Sequence, residues 1–246
     1  MSIELIKGDC LEEMKSIESG SIDAIITDPP YGTTACKWDS VIDFDLMWAQ
    51  LKRIIKPNGA IVLFGSEPFS SALRMSNIKQ YKYDWIWQKS QATGHLNAWK
   101  MPMRNTENIS VFYSKPPMYN PILRAKDRQN IRPLTPRTKT SDCYGEHRLN
   151  VHRCPADKSM PSTILKFNNA QGTIHPTQKP VPLMEYLIKT YTNENETVLD
   201  FTFGSGSTGV ACKNLKRNFI GIELDDKYFD VATDRINNSV YQTSLF

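Results

Sequence analysis

Thr197-Val198-Leu199-Asp200-Phe201-Thr202-Phe203-Gly204-Ser205-Gly206-Ser207-Thr208-Gly209 reads as a short buried strand, a glycine-rich turn and the start of a helix. The apolar run before Asp200 has strand length, and a helical pattern continues through Val210, Ala211, Asn214 and Leu215. Glycines between strand and helix permit a tight bend and let the backbone approach a ligand closely. The helix N–H groups then face any anionic group placed there. A second strand, Asn218-Phe219-Ile220-Gly221-Ile222, ends in Glu223. An acid about 20 residues past the first strand is the expected partner of ribose hydroxyls in a nucleoside ligand. No Gly-Lys-Ser/Thr closes the turn, which excludes a phosphate-binding P-loop.

A second strand ending carries the chemistry. Ile22-Asp23-Ala24-Ile25-Ile26-Thr27 is apolar and β-branched, as a buried parallel strand should be, and it runs directly into Asp28-Pro29-Pro30-Tyr31. Ligands of open α/β sheets collect where such strands end. Two prolines fix the backbone, so the Asp28 carboxylate, the Pro29 carbonyl and the Tyr31 ring project in set directions. Carboxylate and carbonyl can accept both hydrogens of an exocyclic amine while the ring stacks on its base, an arrangement suited to an extruded nucleobase. A proline turn that merely closes a strand is the alternative, and the four residues alone do not decide between them.

Together these motifs resemble the amino-methyltransferases of DNA, specifically their permuted beta class, in which the Asp-Pro-Pro-Tyr half precedes the cofactor-binding half. The resemblance covers residues 1–113 and 175–239. It implies S-adenosylmethionine as cofactor, with Asp200, Phe201, Phe203, Gly204, Ser205, Gly206, Ser207 and Thr208 wrapping its methionine part and Glu223 holding its ribose. The Asp28 carboxylate also lies close to the methionine part in that family. Gly8-Asp9-Cys10 matches the segment beside the adenine ring, with Asp9 on the ring's amine and Cys10 next to it. His175-Pro176-Thr177-Gln178-Lys179-Pro180 matches the segment where polar side chains, here His175, Thr177, Gln178 and Lys179, meet the cofactor. The chain departs from the family at Asp200-Phe201-Thr202-Phe203, where Asp-Pro-Phe is usual. The catalytic set expected is Asp28, Pro29, Pro30 and Tyr31, transferring methyl to the N6 amine of adenine in double-stranded DNA. N4 of cytosine is the alternative, and RNA, a protein glutamine amide or a non-catalytic nucleic-acid-binding role are more distant ones. Trp38 is a candidate for holding the extruded nucleotide.

The charge distribution agrees with a polyanionic partner. The net charge of the 246 residues is only +4, yet residues 74–166 hold 17 Lys/Arg against 6 Asp/Glu, while the rest holds 13 against 20. A basic central segment on an acidic body is the footprint of a nucleic-acid grip. Trp85, Trp87, Trp99, Tyr113 and Tyr119 lie in or beside it. Five cysteines with no Cys-x-x-Cys pair suggest a reducing cytoplasm, and the resemblance implies one of prokaryotic or phage type. No apolar stretch approaches the roughly 20 residues of a membrane span. Cys143, His147, His152 and Cys154 have zinc-ligand chemistry, but their spacing fits no common finger, so no metal is expected. A homodimer and a paired restriction endonuclease remain open.

The pattern predicts an α/β fold, a doubly wound, mostly parallel seven-stranded sheet of the Rossmann-like, permuted methyltransferase type. Strands are expected at 3–7, 22–27, 60–64, 85–87, 109–113, 197–199 and 219–222. Helices are expected at 11–17, 44–55, 68–75, 181–191, 207–215 and 227–238. The domain reading is a catalytic half at 1–113, an inserted basic target-recognition segment without regular period at 114–174, and a cofactor half at 175–246. In the segment before the helix at 181, His175 reads as structural, with Thr177 able to cap and Pro180 to open the helix.

Overall fold

A computed structural model describes residues 1–33, 36, 39–126, 154–172 and 174–239. In chain order the elements are β1 (Ile3–Lys7), α1 (Cys10–Glu13), β2 (Ile22–Thr27), α2 (Phe44–Ile54), β3 (Ile55–Gly65), α3 (Phe69–Ser76), β4 (Tyr81–Thr93) and β5 (Arg104–Phe112). They continue with β6 (Arg124–Ala125), β7 (Lys158–Ser159), β8 (Ile164–Phe167), α4 (Val181–Tyr191), β9 (Thr197–Asp200), α5 (Ser207–Asn214), β10 (Asn218–Glu223) and α6 (Asp226–Asn238). The chain divides into two compact units, Met1–Asn120 with Thr163–Phe246, and Pro121–Ser162. In the second, the described residues form a short antiparallel pair in which Arg124 faces Ser159 and Ala125 faces Lys158.

The first unit is built on one sheet, in the order β1-β10-β9-β2-β3-β5-β4-β8. All neighbours are parallel except where β5 runs against β3 and β4. Strand order therefore reverses between β9 and β2, where Ala24 pairs with Val198 and Ile25 with Leu199. Pleating sends alternate residues to opposite faces. Ala24, Ile26, Val62, Phe64 and Val198 pack beneath α4, α5 and α6 with Leu183, Leu187 and Ile236. Ile25, Ile61, Leu63 and Leu199 pack on the other side against Met14, Met47, Leu51 and Ile54. Each of the larger buried side chains (Val, Leu, Ile, Phe or Met) contributes about 1.5–3 kcal/mol relative to exposure.

Most predicted elements are present, with informative differences. The sheet has eight strands instead of seven, because residues 164–167 add β8 alongside β4. A four-residue edge strand needs only one inward side chain, here Leu165, so it leaves no periodic signal. The first helix shortens to Cys10–Glu13 and tightens into a 3-10 turn over Met14–Ser16. Helix α2 starts where Asp43 accepts from the Leu46 N–H at 3.0 Å. Its buried stripe is Met47, Trp48, Leu51 and Ile54, and the apolar Leu46 is exposed. Helix α4 opens after Pro180 with no side-chain cap. Thr177, expected to cap, instead turns to His175. The zinc candidates other than Cys154 lie outside the described residues, as does Trp38. Among the described residues no cluster of metal-binding side chains occurs, and no helix is long and apolar enough to cross a membrane.

One buried polar contact ties the far strands to the helical layer. Tyr191, fully buried at the end of α4, places its hydroxyl 2.7 Å from the Tyr83 hydroxyl and accepts from Trp85 Nε1 at 2.7 Å. Tyr191→Phe leaves both partners unsatisfied and should cost ~1–3 kcal/mol. The expected result is a lower urea midpoint with an unchanged slope.

Candidate active site

Because the parallel strands share one direction, β1, β2, β9 and β10 all end at the same edge of the sheet. A cavity of about 360 Å³ opens there. Asp9 and Cys10 reach it from the end of β1, Asp28 to Tyr31 from β2, and Asp200, Phe201 and Phe203 from β9. Gly204, Ser205, Ser207 and Thr208 supply the turn, Glu223 the end of β10, and His175, Thr177, Gln178 and Lys179 the segment before α4. Of the described residues expected to carry the chemistry or hold the cofactor, Gly206 alone does not line the cavity; it precedes α5. Its φ of 75° and that of Gly204, 50°, are left-handed conformations that favour glycine.

The turn is held by hydrogen bonds in place of the proline that the related motif carries. The Thr202 N–H reaches Asp200 Oδ1 at 3.2 Å, and its hydroxyl lies 2.7 Å from that of Thr27 and donates to the Asp28 carbonyl at 3.2 Å. Asp200 also accepts from the hydroxyls of Thr27 (2.6 Å) and Thr208. Burial pushes its carboxyl up to about 6. Glu223 accepts the Gly204 N–H at 2.8 Å and the Asp225 N–H at 2.9 Å, so it fastens the glycine turn to β10. Burial raises its pKa above the ordinary carboxyl value. Asp9 caps α1 by accepting the Leu11 N–H at 2.8 Å. Burial, then the neighbouring Asp9, pushes the Cys10 thiol up to about 12, so it is neutral and serves as an apolar wall.

Asp28 sits in a buried charge cluster that the motifs do not reveal. Lys179 Nζ contacts Asp28 Oδ2 and lies 3.0 Å from Glu107 Oε1. Lys89 Nζ lies 2.7 Å from Glu107 Oε2. The Tyr31 hydroxyl donates to Asp28 Oδ1 and reaches Glu107 Oε1 at 3.0 Å. Burial raises the pKa of Asp28, and the Lys179 ammonium offsets this only in part. Burial opposes ionised Glu107 as well, yet Lys179 and Lys89 outweigh it and hold its pKa below the ordinary value. Lys179 is likewise disfavoured by burial and kept charged by Asp28 and Glu107.

Three further groups were missed. Asp39 accepts the N–H groups of Tyr31 (2.8 Å), Gly32 (2.9 Å) and Thr33 (2.9 Å), bending the loop after the motif back on itself. Tyr228 on α6 packs its ring 4.1 Å from His175. Glu107 left one trace, as the only acid between Asp84 and Asp127 in an otherwise basic stretch. The Tyr31 ring lines the cavity and packs on Phe69, 4.9 Å between centroids.

A family model described as DNA methylase, covering N6 and N4 methyltransferases, matches residues 22–234. The chain belongs to this family. Type II methyltransferase M.HpaI of Haemophilus parainfluenzae is 28% identical over 251 residues, 97% of this chain and 75% of the relative. Type II methyltransferase M.HinfI of Haemophilus influenzae is 28% identical over 263 residues, 94% and 67% respectively. Among solved structures, the complex of M1.HpyAVI with S-adenosylmethionine aligns with a TM-score of 0.63 at 30% identity, covering 95% of this chain and 99% of that one. The cytosine-N4-specific PvuII DNA methyltransferase shares the fold, with a TM-score of 0.69 at 17% identity over 96% and 86% of the two chains.

His175 is tied into its own segment. The Thr177 N–H donates to its Nδ1 at 3.2 Å, and burial followed by the Lys179 charge lowers its pKa from 6.5 to about 4. A depressed histidine favours the fold in its neutral form. That contribution is complete above 6.5 and is lost as pH falls toward about 4. His175→Asn keeps an acceptor for Thr177 and cannot titrate. Its melting temperature should therefore fall less than that of the wild type across this interval.

Proposed function

We propose that this chain transfers a methyl group from S-adenosylmethionine to the N6 amine of adenine in double-stranded DNA, acting on a base extruded from the helix. The observation that carries this reading is the shared cavity, where the Asp28 carboxylate and the glycine turn fastened to Glu223 face one space. The residues fit the cofactor. Gly204 lines the turn without a side chain, and a cavity near 360 Å³ falls in the range of small-molecule sites. Glu223 at the end of β10 offers a carboxylate for ribose hydroxyls, Asp9 stands at the end of β1 for the adenine amine, and residues 200–208 surround the remainder. When bound, S-adenosylmethionine supplies an electrophilic sulfonium methyl group.

The protein's own task lies with the amine, whose lone pair is delocalised into the purine ring. Hydrogen bonds from its two N–H groups to Asp28 and the Pro29 carbonyl favour a pyramidal nitrogen and stabilise the positive charge that grows there. Pro29 and Pro30 keep these acceptors in fixed directions, which supplies the positioning component. Tyr31 offers a ring face for the base, a contact worth ~1–3 kcal/mol in nucleic-acid sites. The basic central segment, of which Arg124 and Lys126 lie among the described residues, would meet phosphates. Asp at the first motif position supports adenine, since the resemblance associates cytosine enzymes with Ser there. N4 of cytosine is the second reading, because Asp28 and Pro29 would serve that amine equally.

Glu223→Ala should weaken S-adenosylmethionine by ~1.5–3 kcal/mol, the value of a charge-assisted hydrogen bond, and leave DNA affinity unchanged. Calorimetric titration checks this, and unchanged cofactor affinity would remove Glu223 from the site. The target base is tested by nucleoside mass spectrometry of DNA treated with enzyme and labelled cofactor. Label is expected in N6-methyladenine. Label confined to N4-methylcytosine would overturn the base assignment, and label in neither base would overturn the reaction.

A further inference from the structure

Glu107 belongs to no motif of the chain, yet its carboxylate meets Lys179, Lys89 and Tyr31 behind Asp28. It is nearly inaccessible, and its Oε1 lies 3.0 Å from both Lys179 Nζ and the Tyr31 hydroxyl. Its Oε2 is held by Lys89 Nζ at 2.7 Å. Lys179 and Tyr31 also contact Asp28, one on each carboxylate oxygen; the Lys179 ammonium has a proton for each carboxylate, whereas the single Tyr31 proton is shared between Asp28 Oδ1 and Glu107 Oε1. Lys179 and Tyr31 each have a long reach and rotatable bonds, so two contacts to Asp28 alone would not fix their directions. A common acceptor on a β-strand does. Lys179 also lies over the Phe64 ring, 5.1 Å from its centroid, and Lys89 over Trp87 at 5.0 Å, so both cations are boxed in.

We propose that Glu107 is a positioning residue of methyl transfer: it gathers Lys179 and Tyr31 onto one strand-borne carboxylate and so fixes the orientation in which Asp28 presents its remaining lone pairs to the target amine. The inference rests on Asp28 being the acceptor of that amine. An ionised carboxylate offers about four acceptor positions, so two donors fixed on it leave room for an N–H from a defined side. The groups facing Asp28 are Lys179 from the segment before α4, Glu107 from β5, Tyr31 from its own loop and Asp200 from β9. Lys89 stands behind Glu107 and His175 near Lys179. Two of these act on Asp28 with opposite sign, since the Lys179 ammonium favours its ionised form and the Glu107 carboxylate disfavours it.

That opposition supplies the test. Single-turnover methyl transfer to amplified, hence unmethylated, genomic DNA is measured under saturating S-adenosylmethionine from about pH 5 to 9, the range in which an ionising catalytic carboxylate shows an acidic limb. Glu107→Gln should slow the step by about 10- to 100-fold, the scale set by small misplacements, with cofactor affinity retained. Its acidic limb should move to lower pH. In Lys179→Met the limb should move to higher pH, and Lys179→Arg should bring it back toward the wild type. Limbs that stay in place or move in the same direction overturn the proposal. Should Lys179→Met not fold, Tyr31→Phe is combined with Glu107→Gln. Effects smaller together than their product support a shared route, and effects that multiply overturn it. Asp28→Ala is run in parallel. Full turnover by that variant would strike the underlying assignment, whereas an inactive Asp28→Ala beside a wild-type Glu107→Gln would strike this inference alone.

Discussion

The backbone pairing of β2 with β9 is the constraint on which the site depends. Ala24 and Ile25 stand against Val198 and Leu199, residues more than 170 positions away in the chain. Parallel pairing makes both strands end at one edge, and strand order reverses at that point. In open α/β sheets a crevice forms where order reverses, because the following connections leave toward opposite faces. Asp28 and Asp200 are thereby brought to one cavity, and Thr27 and Thr202 lace them together through hydroxyl contacts. A break in this pairing would leave two intact motifs with nothing between them to react.

The electrostatics of the edge are those of a site that keeps charge under low solvation. A buried ion pair is seldom a net source of stability, since the loss of hydration offsets the attraction. Here two ammonium groups and two carboxylates alternate as Lys89, Glu107, Lys179 and Asp28. The alternation leaves no uncompensated charge, and what it secures is orientation. Asp200, by contrast, rests on hydroxyl and amide donors among the described residues. Its carboxyl is correspondingly pushed up to about 6, which marks it as a structural clasp more than an ionic partner.

Local signals served the reading of the fold well where structure is made locally. The boundaries of α4 coincide with expectation because Pro180 and Pro182 confine its start and the apolar face is unambiguous. Strand β4 extends from Tyr81 to Thr93, well past the predicted Trp85-Ile86-Trp87, because its outer residues are polar and are held by pairing with β5 and β8. Pairing partners lie elsewhere in the chain and leave no mark on the strand's own composition. The exposure of Leu46 on α2 has the same origin, since which face of a helix is covered depends on its neighbour.

By itself the sequence determined the strand endings at Asp28, Asp200 and Glu223, the glycine turn, and the chemistry available at each. These follow from residue type and short spacing, which are properties of the chain in one dimension. Only the tertiary structure decided that Glu107 and Lys89, from β5 and β4, stand behind Asp28, and that Lys179 bridges Asp28 and Glu107. A buried charge is tolerable only beside a compensating one, and the identity of that partner is fixed by strand order and register. Neither can be read from a residue's own surroundings in sequence.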